Sequence, residues 1–533
     1  MKSVTVVGSG ASAVHFAQTA LERGWQVTLL DVGRARPAHV RPELSFEGLK
    51  DSHTRSSEYF LGENFEGVLF PGAKGEYYGF PPHREYIFAP HASSTTRAAG
   101  LDPLLSFARG GLAEAWTGAV FPFSDAELAD WPIAHADLAP HYDLVAQRIG
   151  IAGTLDDLTR YVPTHAHLDA PLDLDPHSQR LSERYASVRA KLNDSLGVFV
   201  GRTRAAVLTR PRAHRKACDL KGRCLWGCPN DAIYSPAFTL RELERQANFR
   251  YVPGVFVRRF EADDGGVVRA VEVEHAQGLR ERIAVERLVL AAGTLSSSRI
   301  VLESLSAVGG SESELCGLMD NRQVLVPFVN WSMLREQPVL DGYQYHQLAL
   351  GLSAGDPREY VHGLITTLKS ALIHPIAQSV PFDLRTALDL TRNSHAALGL
   401  LNLNFHDTRR AENRLVLERE GDLSRMVLHY APEALEARRI KSVLKRVKRA
   451  LSLLRCFVPP GMTHVRPMGA SVHYAGTLPM AREGGALTST PNGQSRAFKN
   501  LWLADGSTFP FLPAKNLTFT LMANASRIAT LDF

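Results

Sequence analysis

The sequence predicts an α/β protein whose amino-terminal part is a nucleotide-binding unit on a parallel sheet. Three observations carry this. The first 31 residues read as strand, glycine turn, helix, strand and acid in that order. Two later runs, LVLAAG at 288–293 and LWLAD at 501–505, are short and continuously apolar, as strands covered on both faces are. The chain of 533 residues, 45% hydrophobic and 22% charged, has the balance of an ordinary globular protein, with room for several domains at ~150 residues each.

The elements follow in order. SVTVV at 3–7 is an uncharged, β-branched run and reads as a buried strand. Gly8-Ser9-Gly10-Ala11 forms the turn, Val14 to Arg23 carries apolar residues at helical spacing, Gly24 breaks it, and Trp25 to Leu30 is a second strand ending at Asp31. Glycines at such a turn let it close tightly and let backbone N–H groups approach a pyrophosphate at the helix N-terminus. Asp31 follows Gly8 by 23 residues, near the ~20 expected for a carboxylate that accepts from an adenosine ribose. An aspartate there, not an arginine, favours an unphosphorylated ribose. The turn alone leaves FAD and NAD both open.

Composition excludes several classes. Five cysteines, an odd number in so long a chain, make a disulfide framework untenable and point to a reducing compartment. No apolar run reaches the ~18 residues of a membrane span, and the start reads as a strand, not a signal peptide. A soluble, cytoplasmic protein is expected. The net charge of +5 is small, and neither zinc-finger spacing nor an aromatic RNA-binding box accompanies it, so no nucleic-acid partner is expected.

Ligands of doubly wound sheets sit outside the carboxyl ends of the strands, where Gly293 and Asp505 would lie. Asp505 equally suits the cap of a following helix.

Further blocks carry a family resemblance. RGGLAEAWTG at 109–118, then DWPI at 130–133 and DLAPHY at 137–142, resemble the second flavin-contacting region of the glucose-methanol-choline (GMC) oxidoreductases. LVLAAGTLSSSR at 288–299 resembles that family's strand and glycine turn on the flavin domain. HYAGTLPM at 473–480 resembles its HPxGTxxM block, and NLWLADGS at 500–507 through NLTFT at 516–520 its NLYVADxS…NPxxT block. The matches run in family order along nearly the whole chain. The resemblance implies a discontinuous Rossmann-like FAD-binding domain from 1–45, 205–310 and 480–533, and a substrate domain on a largely antiparallel sheet from 46–204 and 311–479. It places Gly8, Gly10, Ala11, Asp31, Gly110, Gly111, Trp116, Val257, Ala292, Gly293, Asp505 and Gly506 against the FAD.

The implied activity is oxidation of an alcohol CH–OH to a carbonyl, which removes a hydroxyl proton and a hydride. Flavin N5 accepts the hydride, which no side chain can do. A histidine suits the proton transfer at neutral pH. His473 is the candidate base and Asn516, at a family position held by Asn or His, the group that orients the hydroxyl; His464 is the rival base, and Asn516 also reads as a turn residue near Pro513. The family prolines after these two residues are Tyr474 and Leu517 here, and the position that carries the flavin covalently in some members is Ala115, so non-covalent FAD is expected. Two other readings use the same scaffold: a non-redox lyase or isomerase with structural FAD, and a non-catalytic flavin-binding accessory protein.

Cys218, Cys224 and Cys228, spaced C-x5-C-x3-C, lack a fourth ligand and a C-x2-C pair, so a structural role is expected ahead of a disulfide, and a metal last. Residues 435–455 form a basic amphipathic helix, with Ile440, Val443, Leu444, Val447, Leu451 and Leu454 on one side. It packs on the core or contacts an anionic membrane surface. The apolar stretch from Leu364 to Leu403 is expected to line the substrate pocket, which admits a bulky or lipophilic alcohol. The electron acceptor, whether oxygen, a quinone or a protein carrier, is left open.

Overall fold

A computed structural model describes residues 2–52, 54–68, 80–307, 314–368, 381–420 and 423–533. Its first sheet is five-stranded and wholly parallel, in the order Leu501–Leu503, Leu288–Leu290, Ser3–Val7, Gln26–Leu30, Phe249–Val252. Successive side chains leave a strand on opposite faces, and here both faces are covered. Val4, Val6, Val27, Leu29 and Val289 pack under the helices Ala11–Glu22 and Thr518–Asp532. Leu288, Leu290, Leu501 and Leu503 pack under the helix Thr294–Ala307 and the antiparallel strands Val255–Ala262 and Val268–His275. That double burial is why these strands read as unbroken apolar runs.

The second large sheet is antiparallel. Its order is Cys456–Phe457, Gln323–Asn330, Leu398–Asn404, Val361–Thr367, Leu348–Leu352, Val198–Arg202, with His464–Val465 also pairing to Gln323–Asn330. Val324, Val326, Leu401, Leu403, Val361 and Ile365 face one way, against the helices Pro176–Leu196 and Glu436–Leu453. The alternate residues Gln323, Asn402, Asn404 and Leu364 face the other way, over a cavity. The molecule is therefore α/β, and its two largest sheets among the described residues are one parallel and one antiparallel.

The basic helix is Glu436–Leu453, and Ile440, Val443, Val447, Ala450 and Leu451 are buried against the antiparallel sheet. Its apolar stripe belongs to the core and is not presented outward to a lipid surface. Among the described residues no helix is long and apolar enough to cross a membrane.

Candidate active site

A cavity of about 410 Å³ lies between the carboxyl ends of the parallel strands and the polar face of the antiparallel sheet, in the size range of small-molecule sites. Gly8, Gly10, Ala11, Asp31 and Gly111 line one end. Trp116, Val257, Ala292, Gly293, Asp505 and Gly506 continue the wall, and His473 and Asn516 face the same space. Gly110 is the exception among the expected residues. It stands behind the wall, where its N–H donates to Ser9 Oγ at 3.0 Å and its φ of +103° turns the chain toward Gly111.

The nucleotide turn is sterically committed to glycine at its first position. Gly8 has φ +102°, and a Cβ there would sit 2.7 Å from the Ala291 carbonyl oxygen and 2.9 Å from Ala292 Cα. Two parallel strands meet at this point, so the contact is backbone on backbone and cannot yield. The helix Ala11–Glu22 starts without a side-chain cap, which leaves its first N–H groups to the cavity. Asp31 ends the second strand and accepts from Ser9 Oγ and, at 3.1 Å, from Tyr251 Oη. Burial pushes its carboxyl up to about 7 against those two hydrogen bonds.

Asp505 does what an aspartate cap does and more. It accepts from Ser507 N at 3.0 Å and Ser507 Oγ at 2.7 Å, and from Gly293 N at 3.0 Å and Ser297 Oγ at 2.5 Å. One carboxylate thus ties the turn after Leu288–Leu290 to the turn after Leu501–Leu503 and fixes the floor of the cavity.

His473 is held from both sides. Its backbone N–H donates to Ser471 Oγ at 2.9 Å, and Ser471 donates to the buried Asp320, which also takes the Gly469 N–H. Its ring Nδ1 lies 3.0 Å from Asn321 Oδ1. Asn321 Nδ2 donates to the carbonyls of Phe405 at 2.8 Å and Pro513 at 3.0 Å, so the amide has one orientation and its Oδ1 can only accept. Nδ1 therefore carries the ring proton and Nε2 is the bare acceptor. Burial pushes this imidazole down to about 4, which keeps it neutral at physiological pH. The residue before it, Val472, is β-branched at φ +61°, a strained conformation that persists only where surrounding bonds over-determine it. His464, the rival base, is exposed on the short strand His464–Val465 and does not line the cavity.

Asn516 Oδ1 is buried without a protein partner. The preceding Lys515 is fully buried and donates to Pro122 O at 3.1 Å, Tyr161 O at 2.6 Å and Glu127 Oε2 at 2.5 Å. All three ammonium protons are used, which pins the segment that presents Asn516.

Known proteins resemble this chain in part and in whole. A family model described as GMC oxidoreductase matches residues 419–525. The 6'''-hydroxyparomomycin C oxidase of Streptomyces lividus is 23% identical, over 98% of this chain and 90% of that one. The paromamine 6'-oxidase of Streptomyces fradiae is 24% identical, over 78% and 75%, and the 2-methyl-1,2-propanediol dehydrogenase of Mycolicibacterium austroafricanum is 26% identical over 33% and 30%. Among solved structures, pyridoxine 4-oxidase from Mesorbium loti superposes with a TM-score of 0.60 at 16% identity, covering 100% of this chain and 99% of that one. Formate oxidase of Aspergillus oryzae RIB40 does so at 0.62 and 12%, covering 99% and 98%. The chain carries a GMC oxidoreductase match near its carboxyl-terminal end and resembles an oxidase along nearly all of its length. It is an FAD-dependent enzyme.

The residues of the cavity fit that cofactor. The cradle at Gly8, the uncapped helix start and Asp31 at the strand end suit a dinucleotide. Two departures from the family blocks also find a use. Tyr474, in the proline's place, donates from Oη to Gly469 O at 2.9 Å and accepts from Leu104 N at 2.9 Å, closing the loop that carries His473. Leu517 fills a buried cluster with Phe519, Met522 and Tyr142. Cys218, Cys224 and Cys228 gather in one cluster with Tyr343 and Tyr345, and burial raises the Cys218 thiol to about 11.

Sequence reasoning missed Asn321, Lys515 and Glu127. No local signal marks them, because each acts on a partner far along the chain. The stretch 364–403 does reach the cavity, through Leu364 and Asn402, and its residues 369–380 lie outside the described residues. Beside Leu364, the polar side chains Gln323, Asn402, Asn404 and Arg466 also line the cavity.

Proposed function

We propose that this enzyme oxidises the CH–OH of a small hydroxylated molecule to a carbonyl, with His473 taking the hydroxyl proton and Asn516 orienting the hydroxyl. The observation that carries the reading is that His473, its Nδ1 engaged by Asn321, lines the same cavity as the nucleotide turn and Asn516. Bound FAD supplies the acceptor for the hydride. The remaining work belongs to the chain. Asn321 holds the ring so that Nε2 can accept the proton, and a positioned base of this kind contributes about 10²–10⁴-fold. Asn516 holds the substrate oxygen, so that its C–H is aimed before reaction. Curated relatives named after hydroxylated small molecules support the substrate class. Residues 1–45, 205–310 and 480–533 form the cofactor unit in this reading and the intervening segments the substrate unit. Ala115 offers no nucleophile at the cavity wall, which supports non-covalent FAD.

Anaerobic addition of an alcohol panel to the holoenzyme tests the reading. Bleaching of the flavin supports it, and loss of bleaching in His473→Ala assigns the base. A lyase or isomerase would convert substrate without bleaching, and an accessory protein would do neither. Oxygen uptake on readmission of air separates oxygen from a quinone or protein carrier as acceptor.

A further inference from the structure

The wall opposite the parallel sheet carries amides that the proton and hydride chemistry leaves unused. Arg466 Nη1 donates to Gln323 Oε1 at 2.5 Å, and Gln323 Nε2 donates to Asn404 Oδ1 at 2.9 Å. A guanidinium has only donors, so this relay reads one way: it sets the Gln323 amide and, through it, the Asn404 amide. Asn404 is fully buried, and the Nδ2 left at the end of the relay has no partner in the protein. Asn402 stands two positions earlier on the strand Leu398–Asn404, hence on the same face, and its Oδ1 is also buried and unpartnered. Both residues line the cavity with His473 and Asn516. Buried amide atoms are costly when unpaired, and these two offer one donor and one acceptor side by side, the complement of a hydroxyl.

We propose that Asn404 and Asn402 read a second oxygen on the substrate, one carried beside the reacting carbinol: Asn404 Nδ2 donates to it, and Asn402 Oδ1 accepts its hydrogen. Gln323 and Arg466 are positioning residues that keep the Asn404 donor turned inward. The preferred substrates are then vicinal diols and polyols, not lipophilic mono-alcohols. This rests on the alcohol-oxidation reading and deepens it.

The test is anaerobic flavin reduction of the holoenzyme by trans-cyclohexane-1,2-diol and by cyclohexanol, a pair that differs by one hydroxyl. The diol is expected to have the larger second-order rate constant by about tenfold or more, since a site built to pair a hydroxyl rejects the analogue that lacks it. Asn404→Asp keeps the shape and removes the N–H donor, and should collapse the ratio to near unity. Gln323→Met cuts the relay and should lower the ratio as well, which covers the case in which Asn404→Asp fails to fold. Flavin content of each variant reports on folding separately. Equal reduction by the two alcohols in the parent enzyme, or a ratio unchanged in both variants, overturns the proposal and leaves alcohol oxidation standing. If dithionite bleaches the flavin and neither alcohol does, the oxidation reading fails and this one with it.

Discussion

His473 Nδ1 and Asn321 Oδ1 stand 3.0 Å apart, and because Asn321 Nδ2 is committed to two carbonyls, this one contact decides which ring nitrogen can take a proton. Replacing Asn321 by Leu frees the tautomer and the ring angle together. The expected result is a kcat lower by about 10²-fold, the scale of a small misplacement at a reacting centre, with FAD retained. Asn321→Asp instead places a carboxylate against Nδ1 and favours the imidazolium, so the acid limb of the kcat/KM profile should move to higher pH. A purely structural role would lower activity in both variants and leave the limb in place.

The pH profile of the parent enzyme follows from the same ring. The base must be neutral to act, and burial holds its pKa at about 4. Activity attributable to this group is therefore present above that value and lost as pH falls through it. The acid limb should lie well below the ~6.5 of a free histidine. An acid limb at or above the free value would show that another group takes the proton.

Asp320 produces the opposite dependence, in stability. Burial raises its carboxyl to about 7, above its unfolded value, so the folded state prefers the proton. The stability this group contributes is full below the unfolded pKa and is lost as pH rises through the folded one. Urea unfolding at about pH 6 and about pH 8 should show a decline in the parent protein that Asp320→Asn makes shallower. An unchanged slope in the variant would assign the decline to Asp31, whose carboxyl is raised to about 7 by burial as well.

How much of this was legible in the sequence depended on whether the partners of a residue are near it in the chain. The turn at Gly8, the acid at Asp31 and the apolar strands at 288 and 501 are local patterns, and the parallel sheet uses them as read. His473 and Asn516 could be picked out because family blocks surround them. The Asn321 contact to His473 spans 152 residues and the Glu127 contact to Lys515 spans 388, so no spacing rule could find either. The basic helix shows the reverse limit. Periodicity gave its apolar stripe correctly, but only the packed sheet decides whether that stripe meets protein or lipid.

Gly8→Ala tests the nucleotide turn. The new Cβ would meet the Ala291 carbonyl at 2.7 Å in a conformation, φ +102°, that alanine rarely adopts. Strain of this kind costs about 1–3 kcal/mol where the structure holds it. The expected variant is less stable by that amount and is purified with little of the yellow flavin absorbance. Full flavin occupancy would show that the turn does not hold the cofactor.

The buried pair under Asn516 gives the last prediction. Lys515 and Glu127 have side chains 0% and 2% exposed, and their nitrogen and oxygen are 2.5 Å apart. Removing one charge leaves the other stranded, which costs about 3–5 kcal/mol, whereas replacing both by apolar groups of similar volume is often neutral. Lys515→Met should therefore destabilise strongly, and Lys515→Met with Glu127→Leu should recover most of the loss in a denaturant titration. Activity should not recover with it. The three bonds of the ammonium also hold the backbone that presents Asn516 to the cavity, and a methionine restores packing without restoring those bonds. A double variant that regains both stability and kcat would show that Asn516 is placed by the fold at large and not by this lysine.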